Sequence, residues 1–313
     1  MISSIPAVQP ASACEHERAP LPSRWRWSLV VAVNNDSVLS NTLLASPVIG
    51  ERCQVIAKRG FPCAGQAYNS GLADAQHDVV VFAHQDVYLP QDWLTNLECA
   101  LAQLSIDDPN WGVLGAFGVT KKHPVELLGY CYSTGLKRVL GAPFAKPILA
   151  RSLDEMVLVV RRSSRLAFDE RLPGFHLYGT DICLEAEARG ISSYVVSAFC
   201  IHNANGIRYL PADFWRAYFY LRRKRWRALP VTTCCTTITK WCLPVAQRVA
   251  VELTHRLRRP DVGVRCDEMS ALYRHVMQME QGRCPGTAAL ATPRSGSDDA
   301  SVRPLKKADH VGA

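Results

Sequence analysis

Several common signatures are missing from this sequence. Its twelve cysteines form no C-x-x-C pair, and the adjacent Cys234 and Cys235 are badly spaced for two ligands of one zinc ion. Disulfide-stapled scaffolds are short and Cys-dense, which a chain of 313 residues is not. Most of the cysteines are read as small buried hydrophobes, from which a reducing compartment is expected. No stretch reaches the ~18 uncharged apolar residues of a spanning helix. The longest candidate, 228–253, carries two prolines, Lys240, Gln247 and Arg248. The first 24 residues lack a basic start and an apolar core, so no secretory leader is expected. There is no internal repeat. The formal charge of +8 is too mild for this length to indicate nucleic acid by itself.

What is present is a globular composition, with 48% hydrophobic and 20% charged residues. It excludes a wholly disordered chain, a collagen and a coiled coil, and the chain is long enough to bury a core. The length suits two domains, or one large α/β domain with extensions. Residues 1–24 and 284–313 are poor in large apolar side chains and cannot offset the entropy of ordering, so both are expected to be disordered tails. Between them we expect one domain at 25–210 and a basic, aromatic helical extension at 211–283.

Within the domain, strands and helices alternate. The runs WSLVVAV (27–33), CQVIA (53–57) and DVVVFAH (78–84) read as buried strands. Helices are expected at 37–45, 64–75 and 91–104. In the last, Leu94, Leu97, Leu101 and Leu104 share one face of a 3.6-residue period. Residues 111–150 show no clear period. Strands follow at 155–161 and 193–202, with a helix at 180–189 stopped by Gly190 and a basic helix at 212–228. This order predicts an α/β fold with a mostly parallel central sheet flanked by helices.

Ligands of open parallel sheets bind beyond the carboxyl ends of the strands. The strand at 78–84 runs into His84-Gln85-Asp86, so Asp86 stands where a divalent cation or a phosphate would be held. Taken alone, Asp86 could equally cap the helix that begins near Gln91.

Three segments together resemble the family-2-like glycosyltransferases of the GT-A fold. Ala67-Tyr68-Asn69-Ser70-Gly71 is similar to the A-x-N-x-G turn before the D-x-D strand. VVVFAHQDVYLPQDWL (79–94) resembles that strand, its D-x-D turn and the next helix, in the form of a subgroup with H-Q-D. FDERLPGFHLYGTDICLEAEARGISSYVV (168–196) is similar to the acceptor and base segment. The resemblance covers about 26–210 and implies a Rossmann-like GT-A domain. It implies transfer of a sugar from a nucleotide-diphosphate donor to a hydroxyl acceptor, a glycan or lipid-linked glycan, with Mn²⁺ or Mg²⁺ and with inversion. Polysaccharide biosynthesis is a setting by analogy. Asp86 is then a metal ligand, and His202 a further one. His84 faces the ribose, and Gln85 and Asn69 belong with the donor, as do Asn34, Asn35 and Asp36 after the first strand. A cation there would offset charge on the departing diphosphate, and imidazole with carboxylate suits Mn²⁺. The bland alternatives are a hydrogen-bonded core histidine at His202 and a polar turn residue at His84.

The sequence departs from the family in two places. Where the family has a Glu-Asp pair before its late helix, this chain has Tyr178-Gly179. Asp181 is the next acid, either the base or the cap of the following helix; His176 is the other candidate base. If neither serves, the chain is a catalytically degenerate sugar-nucleotide-binding or scaffold protein. At the second strand, where many members carry an Asp for the nucleobase, the chain has Lys58-Arg59, a phosphate contact or a solvated turn. A nucleotidyltransferase is disfavoured, because VAVNNDSVLS holds no Gly-rich phosphate loop.

The basic helix is left with three readings. It could lie on an anionic membrane as a peripheral contact through 212–228, gather the phosphates of a lipid-linked acceptor, or pack aromatics inward under a solvated basic face. Nucleic acid is not expected, since no recognised motif accompanies it. The expected location is cytoplasmic, with or without attachment to the inner face of the membrane.

Overall fold

A computed structural model describes residues 25–204, 210–241, 245–250 and 265–283. The two expected tails lie outside these residues. β1 (Trp27–Val33) is buried along nearly its whole length and pairs in parallel with β2 (Cys53–Arg59) and β3 (Val79–Ala83). Between β1 and β2 the chain makes a short helix, α1 (Asp36–Val38), which runs into a π turn at Leu39–Leu43 rather than one helix over 37–45. α2 (Ala64–Asp74) crosses from β2 to β3. After β3 come the short β4 (Val87–Tyr88) and α3 (Gln91–Asp107). Of the four leucines on its apolar stripe, Leu97, Leu101 and Leu104 are buried and Leu94 is half-buried.

The segment without a visible period forms five strands: β5 (Trp111–Gly115), β6 (Phe117–Thr120), β7 (Leu127–Ser133), β8 (Arg138–Gly141) and β9 (Ile148–Leu153). β5 is buried at every position, so it carries no polar alternation to read. β10 (Val157–Arg161) is followed by α4 (Tyr178–Ala188), stopped at Gly190 with φ 69°. The single strand expected at 193–202 is two, β11 (Ser192–Val195) and β12 (Cys200–His202), which lie in different parts of the sheet.

The strands join in a 12-stranded sheet of order β2-β1-β3-β10-β5-β11-β9-β6-β7-β12-β4, with β8 on β7. It is parallel at β2-β1-β3, as the β-α-β pattern requires, but mixed beyond. β10 enters antiparallel to β3 and to β5, where a mostly parallel sheet is the sequence reading. β9 runs antiparallel to β11, which is parallel to β5, so β9 and β10 share one direction; the three residues between them carry the chain onward without reversing it, and β10 keeps the sense opposed to β5 that β9 already has.

Helices cover both faces. α3 packs one face around Trp27, Trp93 and Leu114, while α2 and α4 pack the other around Tyr68, Phe82 and Tyr178. α5 (Ala212–Lys224) sinks Phe214, Ala217, Tyr218 and Leu221 into that second core, together with the small hairpin β13 (Val231–Thr232) and β14 (Thr237–Ile238). The basic extension thus shares the core of the domain before it. α6 (Met269–Arg283) sets Met269 and Val276 against Tyr88 and Ile201. Of the nine described cysteines, Cys63, Cys131, Cys183 and Cys200 are buried, while Cys99 and Cys235 are exposed.

Candidate metal and nucleotide site

Three side chains converge just past the tip of β3. The turn at 84–86 is pinned by His84 N donating to Met156 O at 3.0 Å and Val87 N donating to His84 O at 3.1 Å. β12 then pairs antiparallel with β4, setting His202 opposite Val87, and Asn203 N donates to Asp86 O at 2.7 Å. Two residues far apart in sequence are brought side by side: His202 Nε2 lies 3.6 Å from Asp86 Oδ1. Ligand atoms of His84, Asp86 and His202 all lie within 4.8 Å of one another.

The electrostatics follow from this crowding. Burial alone would raise the Asp86 carboxyl, but the hydrogen bond from His202 and the charges of His202, His84 and Arg265 outweigh it and hold it well below the usual carboxylate range. Burial opposes charge on His202, yet the facing Asp86 carboxylate raises it above an ordinary imidazole. His84 is pushed down by burial, a push that the charge of His202 reinforces against the opposing pull of Asp86. An ionised carboxylate with two imidazoles is a donor set that a divalent cation can complete. The 3.6 Å separation suits two ligands each about 2.1 Å from one ion.

His84 is held by a residue that sequence reasoning treated only as a departure. Tyr178 Oη lies 2.9 Å from His84 Nε2 and 3.3 Å from Tyr68 Oη, and it donates to Glu155 O at 3.1 Å. With Nε2 engaged, Nδ1 is the ring nitrogen left for another partner. Tyr178 opens α4 directly after Leu177, whose φ of 64° puts a non-glycine residue in the left-handed region. The neighbouring Gly179 has a physical reason: a Cβ there would lie 2.6 Å from Leu153 O. α4 therefore sits directly on the end of β9, and no acid fits where the resembled family carries one.

Above the cluster opens a cavity of about 830 Å³. Asn34, Asn35, Asp36, Lys58, Arg59, His84, Gln85, Asp86, His176 and Arg265 line it, with Phe61, Tyr68 and Phe175 among its apolar walls. Gln85 braces the floor: its Oε1 accepts from the backbone N–H of Asn34 and of Asn35, each at 3.1 Å, and its Nε2 donates to Asn34 Oδ1. Asn35 Oδ1 in turn caps α1 through Val38 N at 3.1 Å. Lys58 pairs with Asp74 and Arg59 with Asp36 Oδ1 at 2.6 Å, so both cations of the β2 tip stand at the cavity rim with partners.

Two sequence-predicted residues lie elsewhere. Asn69 does not line the cavity; its side chain ties α2 to the 168–170 segment through Phe168 N, Phe168 O and Glu170 Oε1. Asp181 is 3% exposed and gripped by Lys224 Nζ at 2.7 Å and Arg225 Nε at 2.8 Å. A carboxylate so held is not free to take a proton from a molecule in the cavity. His176 does face the cavity, its ring 5.7 Å from that of Phe214, and burial lowers its pKa.

Sequence reasoning missed Tyr178, Arg265 and Glu155. Arg265 reaches in from the C-terminal segment, with Nη2 3.3 Å from Asp86 Oδ2 and Nε donating to Asn203 O at 3.2 Å. No local pattern marks it. Burial, then the charge of Asp154, pushes the Glu155 carboxyl up to about 8, while the backbone N–H groups of Gly179 and Leu177 hold it at the start of α4. The adjacent Asp154-Glu155 pair before a strand was the readable signal.

No protein-family model matches the chain. A curated relative from Fuscovulum blasticum, named ATP synthase subunits region ORF 6, is 28% identical over 160 residues, covering 50% of this chain and 64% of its own length. Similar solved structures include GalNAc-T7 with UDP, GalNAc and Mn²⁺, at 11% identity and a TM-score of 0.43, covering 73% of this chain and 54% of that one. Another is the mannosyltransferase PcManGT from Pyrobaculum calidifontis with GDP-Man and Mn²⁺, at 12% identity and 0.43, covering 85% and 83%. TarS from S. aureus aligns at 13% identity and 0.42, covering 64% and 39%. The chain thus spans about two thirds or less of the curated relative and of two of these structures. Among the described residues, no helix is long and apolar enough to cross a membrane.

Proposed function

We propose that the chain is a GT-A glycosyltransferase of the family-2-like kind, moving a sugar from a nucleoside-diphosphate donor to a hydroxyl acceptor with inversion. The observation that carries this reading is the His84, Asp86 and His202 cluster, of which His84 and Asp86 line a cavity about 830 Å³ in volume beyond the carboxyl ends of β1, β2 and β3 while His202 stands beside Asp86 and outside the lining. Those three residues would hold a divalent cation, and two imidazole nitrogens favour Mn²⁺ over the oxygen-seeking Mg²⁺. When bound, the cation offsets the charge that develops on the departing diphosphate.

The chain's own groups supply the rest. Tyr178 fixes the ring of His84, and Arg265 offers a second positive group beside the diphosphate position. Asn34, Asn35 and Asp36 contact the nucleoside over a floor braced by Gln85. His176, held neutral by burial, takes the acceptor's hydroxyl proton as the new C–O bond forms and the bond to the diphosphate breaks on the opposite face. Asn69 and Asp181 act at a distance, by holding the 168–181 segment in place.

The placement of Asp181 favours a second reading, a donor-binding domain that does not turn over. One experiment tests both. Calorimetry with UDP- and GDP-sugars should give binding that requires Mn²⁺, and donor hydrolysis or transfer should accompany it. Metal-dependent binding without turnover would leave the second reading; no nucleotide binding at all would end both.

A further inference from the structure

The charge of this chain is concentrated in one place. Residues 214–251 contain eight Lys and Arg and no Asp or Glu, which matches the whole formal excess of +8; elsewhere cations and acids balance. Two of the eight, Lys224 and Arg225, turn inward onto Asp181. α5 spends its buried face on Phe214, Ala217, Tyr218 and Leu221, so that face is already covered by the core. On the other side the aromatics point outward: Phe219 is 51% exposed, Trp226 47% and Trp241 77%.

These side chains form one continuous surface built from two segments. The Arg222 guanidinium lies 5.2 Å over the Trp226 ring and donates to Thr239 O at 2.8 Å and Lys240 O at 2.6 Å, stitching α5 to the strand end that carries Trp241. Lys240 Nζ lies 5.9 Å from the same ring. Phe219 stands one helical turn before Arg223. Glu187 of α4 shares a groove with Arg223, Trp226 and Arg227, but it is paired with Lys121 at 3.0 Å and Arg151 at 3.8 Å. Large exposed aromatics ringed by cations are what an anionic bilayer surface attracts and an aqueous surface disfavours. A nucleic acid would need open ring faces for base stacking, and Arg222 and Lys240 already lie over that of Trp226.

We propose that the surface made by Phe219, Arg223, Trp226, Arg227, Lys240 and Trp241 docks the protein on a membrane of anionic lipids, aromatics among the headgroups and cations on the phosphates. This surface stands whether or not the cavity transfers a sugar. The helix that carries Phe219 and Arg223 also reaches the cavity wall, where the ring of Phe214 lies 5.7 Å from that of His176.

The test is sedimentation of the full chain with vesicles, without donor or metal. Vesicles of phosphatidylglycerol and phosphatidylcholine in equal parts should carry the protein down; phosphatidylcholine alone should not. Arg223→Gln with Arg227→Gln should weaken partitioning by about fivefold per charge. Phe219→Ser with Trp241→Ser should abolish it, with circular dichroism checking the fold. Bromine-labelled lipid should quench tryptophan emission, and Trp241→Phe, a milder change at an exposed site, should reduce that quenching. Absence of sedimentation, binding that is indifferent to the aromatic changes, or release of the vesicles by a single-stranded oligonucleotide that binds instead would overturn the proposal.

Discussion

Asp86 and Asp181 are two acids of similar promise in the sequence, and the fold gives them opposite fates. Asp86 faces a cavity, its charge balanced by imidazoles and by one guanidinium 3.3 Å away. Asp181 is closed in by Lys224 and Arg225 at 2.7 and 2.8 Å, which themselves reach Asp169 and Glu185. The first arrangement leaves lone pairs toward an open volume, where a ligand can use them. The second ties both carboxylate oxygens to cations within the protein. What separates a binding carboxylate from a structural one here is the identity and reach of the neighbouring cations, not the acid itself.

Substitutions can break that comparison. Asp86→Ala should abolish Mn²⁺-dependent donor binding in calorimetry and lower stability less than the loss of Asp181 does, because its partners His202 and Arg265 are 27% and 34% exposed; retained metal dependence would remove Asp86 from the site. Asp181→Ala should do the reverse. It leaves two cations partly uncompensated, at a cost of about 3 kcal/mol, the low end for a broken buried pair because Asp169 and Glu185 remain. Urea unfolding reads that loss, and donor affinity should hold. Tyr178→Phe should weaken metal binding by about tenfold, as loss of a group that orients a ligand does, with little change in stability.

The smallest effect concerns pH. Burial would raise the Asp169 carboxyl, but the hydrogen bonds from Lys224 and Tyr220 outweigh it and bring it to about 2. A depressed carboxylate contributes stability that is complete above the ordinary value of about 4 and is lost as pH falls toward its folded value. The melting temperature should therefore drop between about pH 4 and pH 2. Lys224→Met should flatten that slope, and an unchanged slope would show that the pair contributes nothing.

Much of the fold was readable where one signal dominated. β1 and β3 are β-branched runs buried along most or all of their length, and α3 carries its leucines on one face. The five strands of 111–153 were not readable, because fully buried or Gly-containing strands lose the period-2 alternation. The same holds for the site. His84-Gln85-Asp86 announced itself as polar residues ending a strongly apolar strand. Arg265 could not, since it reaches Asp86 across 179 positions of sequence.

The sequence by itself determined the α/β alternation, the polar turn at the tip of β3 and the gathering of positive charge after residue 213, because each is a property of neighbouring residues. Only the tertiary structure decided that His202 joins Asp86, that Asp181 is locked away from the cavity, and that Gly179 has no room for a side chain. Those outcomes depend on the pairing of β12 with β4 and the seating of α4 on β9, contacts between segments remote in sequence.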